Sequence, residues 1–136
     1  MVKISIVYEG DLRCHLTHGP SGQQILTDAP VDNMGKGESF SPTDLMASSL
    51  GACMMTVMGI VAQRHNIDLK GTQIEVIKEM ITQPVRKIGK ITVNFKMPKG
   101  IDPSKREMLE RAAATCPVHK SIDHDVEMPV KFEYSG

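Results

Sequence analysis

Along the chain, Lys3 to Tyr8 (KISIVY), Leu12 to Thr17 and Gln23 to Thr27 alternate apolar and polar side chains, the period of a half-buried strand. Glu9-Gly10-Asp11 and His18-Gly19-Pro20-Ser21-Gly22 interrupt them with turn residues. This predicts an antiparallel three-stranded meander. Asp28 to Phe40 contains Pro30, Asp32, Asn33, Gly35 and Gly37 and reads as a loop. At Ser41 the period changes. Ser41 is a good N-cap, Pro42 suits the first helical position, and Asp44 completes an approximate capping box. From Leu45 to Ala62 every position is apolar or small and none is charged. A helix with that pattern is buried on all sides or crosses a membrane. Its richness in Ala, Ser, Gly and Met, without a flanking positive cluster, favours a core helix ending near His65-Asn66.

Gly71 to Thr82 and Lys87 to Met97 alternate again across Gln83-Pro84-Val85-Arg86, predicting a hairpin of longer strands. Asp102-Pro103 opens a second helix to about Ala114, with Met108, Leu109, Ala112 and Ala113 on its apolar face. Cys116-Pro117 starts a short helical turn, and Val126 to Tyr134 is a last strand. The expected fold is α+β, a largely antiparallel sheet with a long buried central helix. A chain of 136 residues is expected to form one domain, residues 1–136.

Composition narrows the function classes. Sixteen basic and sixteen acidic side chains cancel and are interspersed, so no electrostatic footprint for nucleic acid or an anionic membrane is present. The start lacks the apolar core and cleavage site of a signal peptide, and the expected location is the cytoplasm. Three cysteines, Cys14, Cys53 and Cys116, cannot all pair within one chain. In a reducing compartment an odd count favours free, catalytic or redox-active thiols. Ten methionines against five aromatic residues suit irregular core gaps and adaptable interfaces.

Cys116, just before Pro117 at a helix start, is expected at an N-cap, where free N–H groups favour a thiolate and lower its pKa. His119, one turn on, could add positive charge; a small polar cap beside an incidental histidine is the plainer alternative. Cys53 lies about three turns inside the central helix, beyond the help of its dipole. Buried among Met54, Met55 and Val57 it would be inert, unless a cation or donor from elsewhere reached it. Cys14, His15 and His18, or Cys116, His119 and His124, could supply metal ligands, but neither set has zinc-site spacing. A cysteine hydrolase using Cys116 with His119 or His124 is a further possibility.

Two stretches taken together bear on these alternatives. Ser41-Pro42-Thr43-Asp44-Leu45 leading to Leu50-Gly51-Ala52-Cys53, followed about sixty residues later by Cys116-Pro117-Val118-His119, resembles the OsmC/Ohr family of osmotically induced and organic-hydroperoxide-resistance proteins. The order of elements fits that family over nearly the whole chain. The resemblance implies an intertwined homodimer with its sites at the subunit interface, and thiol peroxidase chemistry without metal, flavin or haem. It implies that Cys53 is the peroxidatic thiol and Cys116 the resolving one, with an organic hydroperoxide as substrate and an external dithiol as reductant. It also implies that an arginine of the N-terminal β region, here Arg13, stabilises the Cys53 thiolate, oriented by a carboxylate. Organic-hydroperoxide-resistance members carry Asn-Pro-Glu where this chain has Ser-Pro-Thr. Thr43 therefore stands in the glutamate's place, with Asp44 or Glu38 as candidate substitutes. A binding or redox-sensing dimer with poor turnover is the alternative from another class. Cys14 has no counterpart and is read as structural.

Overall fold

The computed structural model describes residues 1–135, arranged as two compact units divided after Met46. In the first unit, β1 (Ile4–Gly10), β2 (Arg13–His18) and β3 (Gln24–Asp28) form an antiparallel sheet in the order β1-β2-β3. The first turn is left-handed throughout, with φ of 85° at Gly10, 53° at Asp11 and 63° at Leu12, and the register shifts after Tyr8. The second is closed by two hydrogen bonds, from the His18 N–H to the Gln23 carbonyl and from the Gly22 N–H to the His18 carbonyl, both 2.8 Å. The predicted loop contains a single 3-10 turn, Val31–Asn33. It folds so tightly on itself that a Cβ at Gly35 would stand 1.7 Å from the Ala29 carbonyl oxygen.

The expected capping box is present. The Asp44 N–H donates to Ser41 Oγ (3.0 Å) and the Ser41 N–H to Asp44 Oδ2 (2.9 Å), satisfying two otherwise orphaned donors. Helix α1 (Pro42–Arg64) starts there and continues into the second unit. It is followed by the antiparallel pair β4 (Gln73–Ile81) and β5 (Lys87–Lys96), then α2 (Pro103–Ala114), α3 (Pro117–Ser121) and β6 (Val130–Glu133). The last strand lies beside β5 and parallel to it. A parallel neighbour needs a long crossover, and α2 and α3 supply it. The sequence pattern predicts a strand there but carries no information about its direction.

The core belongs to the second unit. Leu50, Met54 and Met58 of α1, Ile91, Val93 and Phe95 of β5, and Leu109 and Ala113 of α2 are essentially inaccessible. Phe95 stacks on Phe132 of β6 at 4.8 Å. Gly51 marks the closest approach of α1 to the sheet. A Cβ there would lie 2.7 Å from Val76 Cγ2 and 3.4 Å from Ile74 Cγ2.

The helix is not buried on all sides within one chain. Ala47, Leu50, Gly51, Met54, Met58 and Ala62 form a single buried stripe, at the three- and four-residue spacing of one helix face. Met46 and Ile60 are exposed, each at 46%. By length and apolarity α1 could also cross a membrane; here its buried stripe joins the core of the second unit. An uncharged sequence identifies an apolar cylinder and does not say how much of its circumference its own chain covers.

Candidate functional site

Two chemically distinct clusters arise, one in each unit. In the first, Arg13 opens β2 and stands directly opposite Asp28, which closes β3. The guanidinium grips the carboxylate with both prongs, Nε to Oδ1 at 2.6 Å and Nη2 to Oδ2 at 2.8 Å. Glu38 adds a longer contact to Nη2, 3.5 Å, and its own N–H donates to Asp28 Oδ2 at 3.1 Å. Asp28 is only 1% exposed. The hydrogen bond from Arg13 holds the Asp28 carboxyl below the usual aspartate range, against the burial that would raise it. That hydrogen bond, with the carboxylate's charge, keeps Arg13 protonated more firmly than usual.

Asp28 is therefore the principal carboxylate orienting Arg13, with Glu38 the lesser partner. Asp44 is engaged in the capping box. Sequence reading missed Asp28 because it falls at the first position of a predicted loop. The register contained the signal: a hairpin turn at His18–Gly22 places residues 13 and 28 opposite each other. Beside this pair, two residues along the same strands, lies an open cavity of about 720 Å³. Ile25, Leu26, Phe40 and Leu45 give it an apolar lining, and Glu9 and His15 supply polar groups. His15 Nδ1 lies 3.3 Å from Glu9 Oε1. His18 pairs with Ser21, and Cys14 faces Tyr8 and Thr27 in the strand register. The candidate ligand set Cys14, His15 and His18 is thus not assembled.

The second cluster holds two thiols. Cys53, near the middle of α1, is partly buried and packs against the core. Cys116 is fully buried and caps α3, as its place before Pro117 predicts, with Sγ accepting the His119 N–H at 3.2 Å. The structure places both as free thiols in the same core cluster, near enough for Cys53 to influence the Cys116 thiol electrostatically. Cys14 is also a free thiol, in the other unit.

The expectation of a lowered Cys116 pKa is overturned. Burial pushes the thiol above its ordinary 9.0, and the hydrogen bond from the His119 N–H only partly opposes this. The hydrogen bond with Cys53 and the Cys53 charge push it up further. A five-residue helix supplies little dipole, and desolvating a thiolate outweighs one N–H donor. Local sequence showed the cap; burial is a tertiary property it could not show. Cys116 is accordingly suited to remain a protonated partner of Cys53.

The histidines divide. His124 is 99% exposed, with Nδ1 3.6 Å from Asp123 Oδ1, and does not join Cys116 in a metal set or a nucleophile pair. Among the described residues the one group with metal-holding geometry is the exposed Asp123, His124 and Asp125. His119 Nδ1 is buried and has no hydrogen-bond partner among the described residues.

Comparison with known proteins matches residues 35–131 to the family model for OsmC-like protein. A comparison with curated proteins finds no match. Among solved structures, a Psychrobacter arcticus protein named for osmotic stress induction and a detoxification response is 42% identical. It has a TM-score of 0.93, over 98% of this chain and 96% of that one. An organic hydroperoxide resistance protein OsmC from Legionella pneumophila superposes with a TM-score of 0.78 at 18% identity, over 98% and 96% of the two chains. The organic hydroperoxide resistance protein OhrB of Bacillus subtilis gives 0.69 at 22%, over 98% of each. The more distant likenesses concern the fold, which is the α+β arrangement of OsmC-like proteins.

Proposed function

The chain belongs to the OsmC-like protein family, and from that premise we propose that it is a thiol-dependent peroxidase reducing organic hydroperoxides to alcohols in defence against oxidative stress. The observation that carries this reading is the placement of partly buried Cys53 and fully buried Cys116 in one core cluster, near enough to interact electrostatically. Cys53, as thiolate, attacks the O–O bond. The distal oxygen becomes a sulfenic acid on Cys53 and the alkoxide leaves, taking a proton to form the alcohol. Cys116 then forms an S–S bond with Cys53, expelling the sulfenic oxygen as water. An external dithiol reduces the disulfide by exchange.

Several features support the assignment of roles. A thiol held protonated by burial is a poor first nucleophile and a suitable second one. Arg13 is assigned to the Cys53 thiolate by family resemblance, and its grip on Asp28 and Glu38 is the kind of orientation that role requires. The apolar side chains of the cluster that Cys53 packs against favour an organic hydroperoxide over hydrogen peroxide. No metal or prosthetic group enters the scheme. The working form is a homodimer, supported separately by the uncovered apolar residues of β1 and by the exposed face of α1. The proposed setting is the cytoplasm, where dithiol reductants are maintained.

Steady-state reduction of an organic hydroperoxide driven by a dithiol tests the proposal. Cys53→Ser is expected to abolish it, whereas Cys116→Ser leaves a single turnover and a sulfenic or overoxidised Cys53. Full activity in Cys53→Ser would refute the reading.

A further inference from the structure

The thiol chemistry does not call on the cavity of the first unit. Its volume, about 720 Å³, lies in the range of sites that hold small organic molecules. Strand register and loop build it together. Leu26 stands opposite His15 across β2 and β3. Two hydrogen bonds pin the chain around Phe40 to β3, from the Ser39 hydroxyl to the Leu26 carbonyl at 2.9 Å and from the Asp28 N–H to the Phe40 carbonyl at 3.1 Å. Glu9 enters the lining for a local reason. The β1–β2 register shifts between Tyr8 and Gly10, which leaves Glu9 outside the ladder, and a bulge of this kind re-aims a side chain.

The charges around the cavity are unbalanced. Glu9 lines it, and no lysine or arginine does. Arg13, two residues along β2 from His15, is already held by Asp28 and Glu38. His15 Nδ1 lies 3.3 Å from Glu9 Oε1, farther than an N–H···O hydrogen bond usually spans. An anionic ligand would be repelled by Glu9. A neutral apolar one would take water from the carboxylate and give nothing back. A carboxylate and an aromatic ring in one apolar lining suit an organic ammonium ion. Its charge is attracted by the carboxylate and by the face of the ring, and its hydrocarbon body covers the aliphatic side chains.

We propose that this cavity is a binding site for an organic ammonium ion, an apolar body carrying one charged amine. Glu9 and Phe40 take the charged head, and Ile25, Leu26 and Leu45 take the body. Gln24 offers a neutral amide oxygen to a further N–H. No bond is made or broken, and the site does not depend on the peroxidase reading.

The test is a titration of the full chain, in its own oligomeric state, with n-octylammonium, 1-octanol and octanoate. The three share a hydrocarbon tail and differ in the head. Methyl NMR of Ile25, Leu26 and Leu45 reports occupancy. Octylammonium is expected to saturate and to bind about tenfold more tightly than octanol, with octanoate weakest. About fivefold of that preference comes from a partly exposed ion pair and about twofold from the ring. Glu9→Gln, at an exposed side chain, should keep the parental fold and octanol affinity while the preference falls to about twofold. Phe40→Leu keeps the lining apolar and should weaken octylammonium about twofold. Equal parental affinity for octylammonium and octanol, tighter binding of octanoate, or a preference unchanged in Glu9→Gln would overturn the proposal. So would the absence of saturable binding by all three, which would mean that a second copy of the chain fills the cavity.

Discussion

The two units of this chain are built on opposite principles. From Ala47 onward, eighteen apolar side chains are buried, from α1, α2, β5 and the segments that join the elements. Before it, the fully buried residues are polar: Thr27, Asp28 and Ser41. The apolar residues of the first unit face outward instead, with Ile4, Ile6, Val7 and Tyr8 each about 60% exposed. A three-stranded sheet gains independent stability when an apolar face is covered, and within its own unit this one has no such cover. What the first unit has is a bidentate ion pair, a tight loop and a capping box. The second unit thus supplies a rigid core for the thiol pair. The first unit holds an oriented cation and leaves its apolar strand residues uncovered within that unit.

The sharpest way to break this contrast is to remove the polar clamp. Asp28→Asn deprives Arg13 of its buried carboxylate where no apolar core can compensate. Hydrogen exchange is expected to show lost protection in β2, β3 and the loop to Phe40, with β5 and α2 unchanged. Uniform loss across both units would contradict the separation. The same residue governs an acid limb. Because Arg13 holds the Asp28 carboxyl below the 3.8 of a free aspartate, its stabilisation is complete above that pH and is lost as pH falls through the lowered value. The asparagine variant should lack that part of the acid transition, as followed by a β-sheet signal.

The second unit should respond as a packed core does. Leu50→Ala opens a cavity at a side chain with no exposure, at a cost of roughly 2–5 kcal/mol by denaturant titration. Gly51→Ala should do less. The added methyl meets Val76 Cγ2 at 2.7 Å, and a β-branched neighbour yields poorly. Overpacking of about 1–3 kcal/mol is offset by about 1 kcal/mol of helix propensity. A net loss near 1 kcal/mol is expected, and a gain in stability would mean that α1 lifts easily from the sheet.

Much of this was legible in the sequence, because it depends on neighbours in the chain. Period-two alternation identified the strands, and Ser41 with Asp44 identified the cap of α1. The two cysteine motifs, read as a pair, carried the resemblance to the OsmC/Ohr family that neither suggested alone, and the family match bears that resemblance out. What escaped depends on distant residues. The parallel pairing of β6 is a consequence of the crossover through α2 and α3. The open face of α1 is a matter of how much protein surrounds it. Asp28 looked like the edge of a loop until strand register set it against Arg13. Cys116 showed the local chemistry of an N-cap, and its burial then reversed the direction of its pKa.

The proposed function turns on whether Cys53 and Cys116 act as one redox pair. The direct measurement is to expose the reduced protein to a slight excess of an organic hydroperoxide and map its thiols by mass spectrometry without reduction. The account predicts rapid formation of a Cys53–Cys116 disulfide with Cys14 still free. Unoxidised thiols at both positions, or a disulfide involving Cys14 instead, would contradict it.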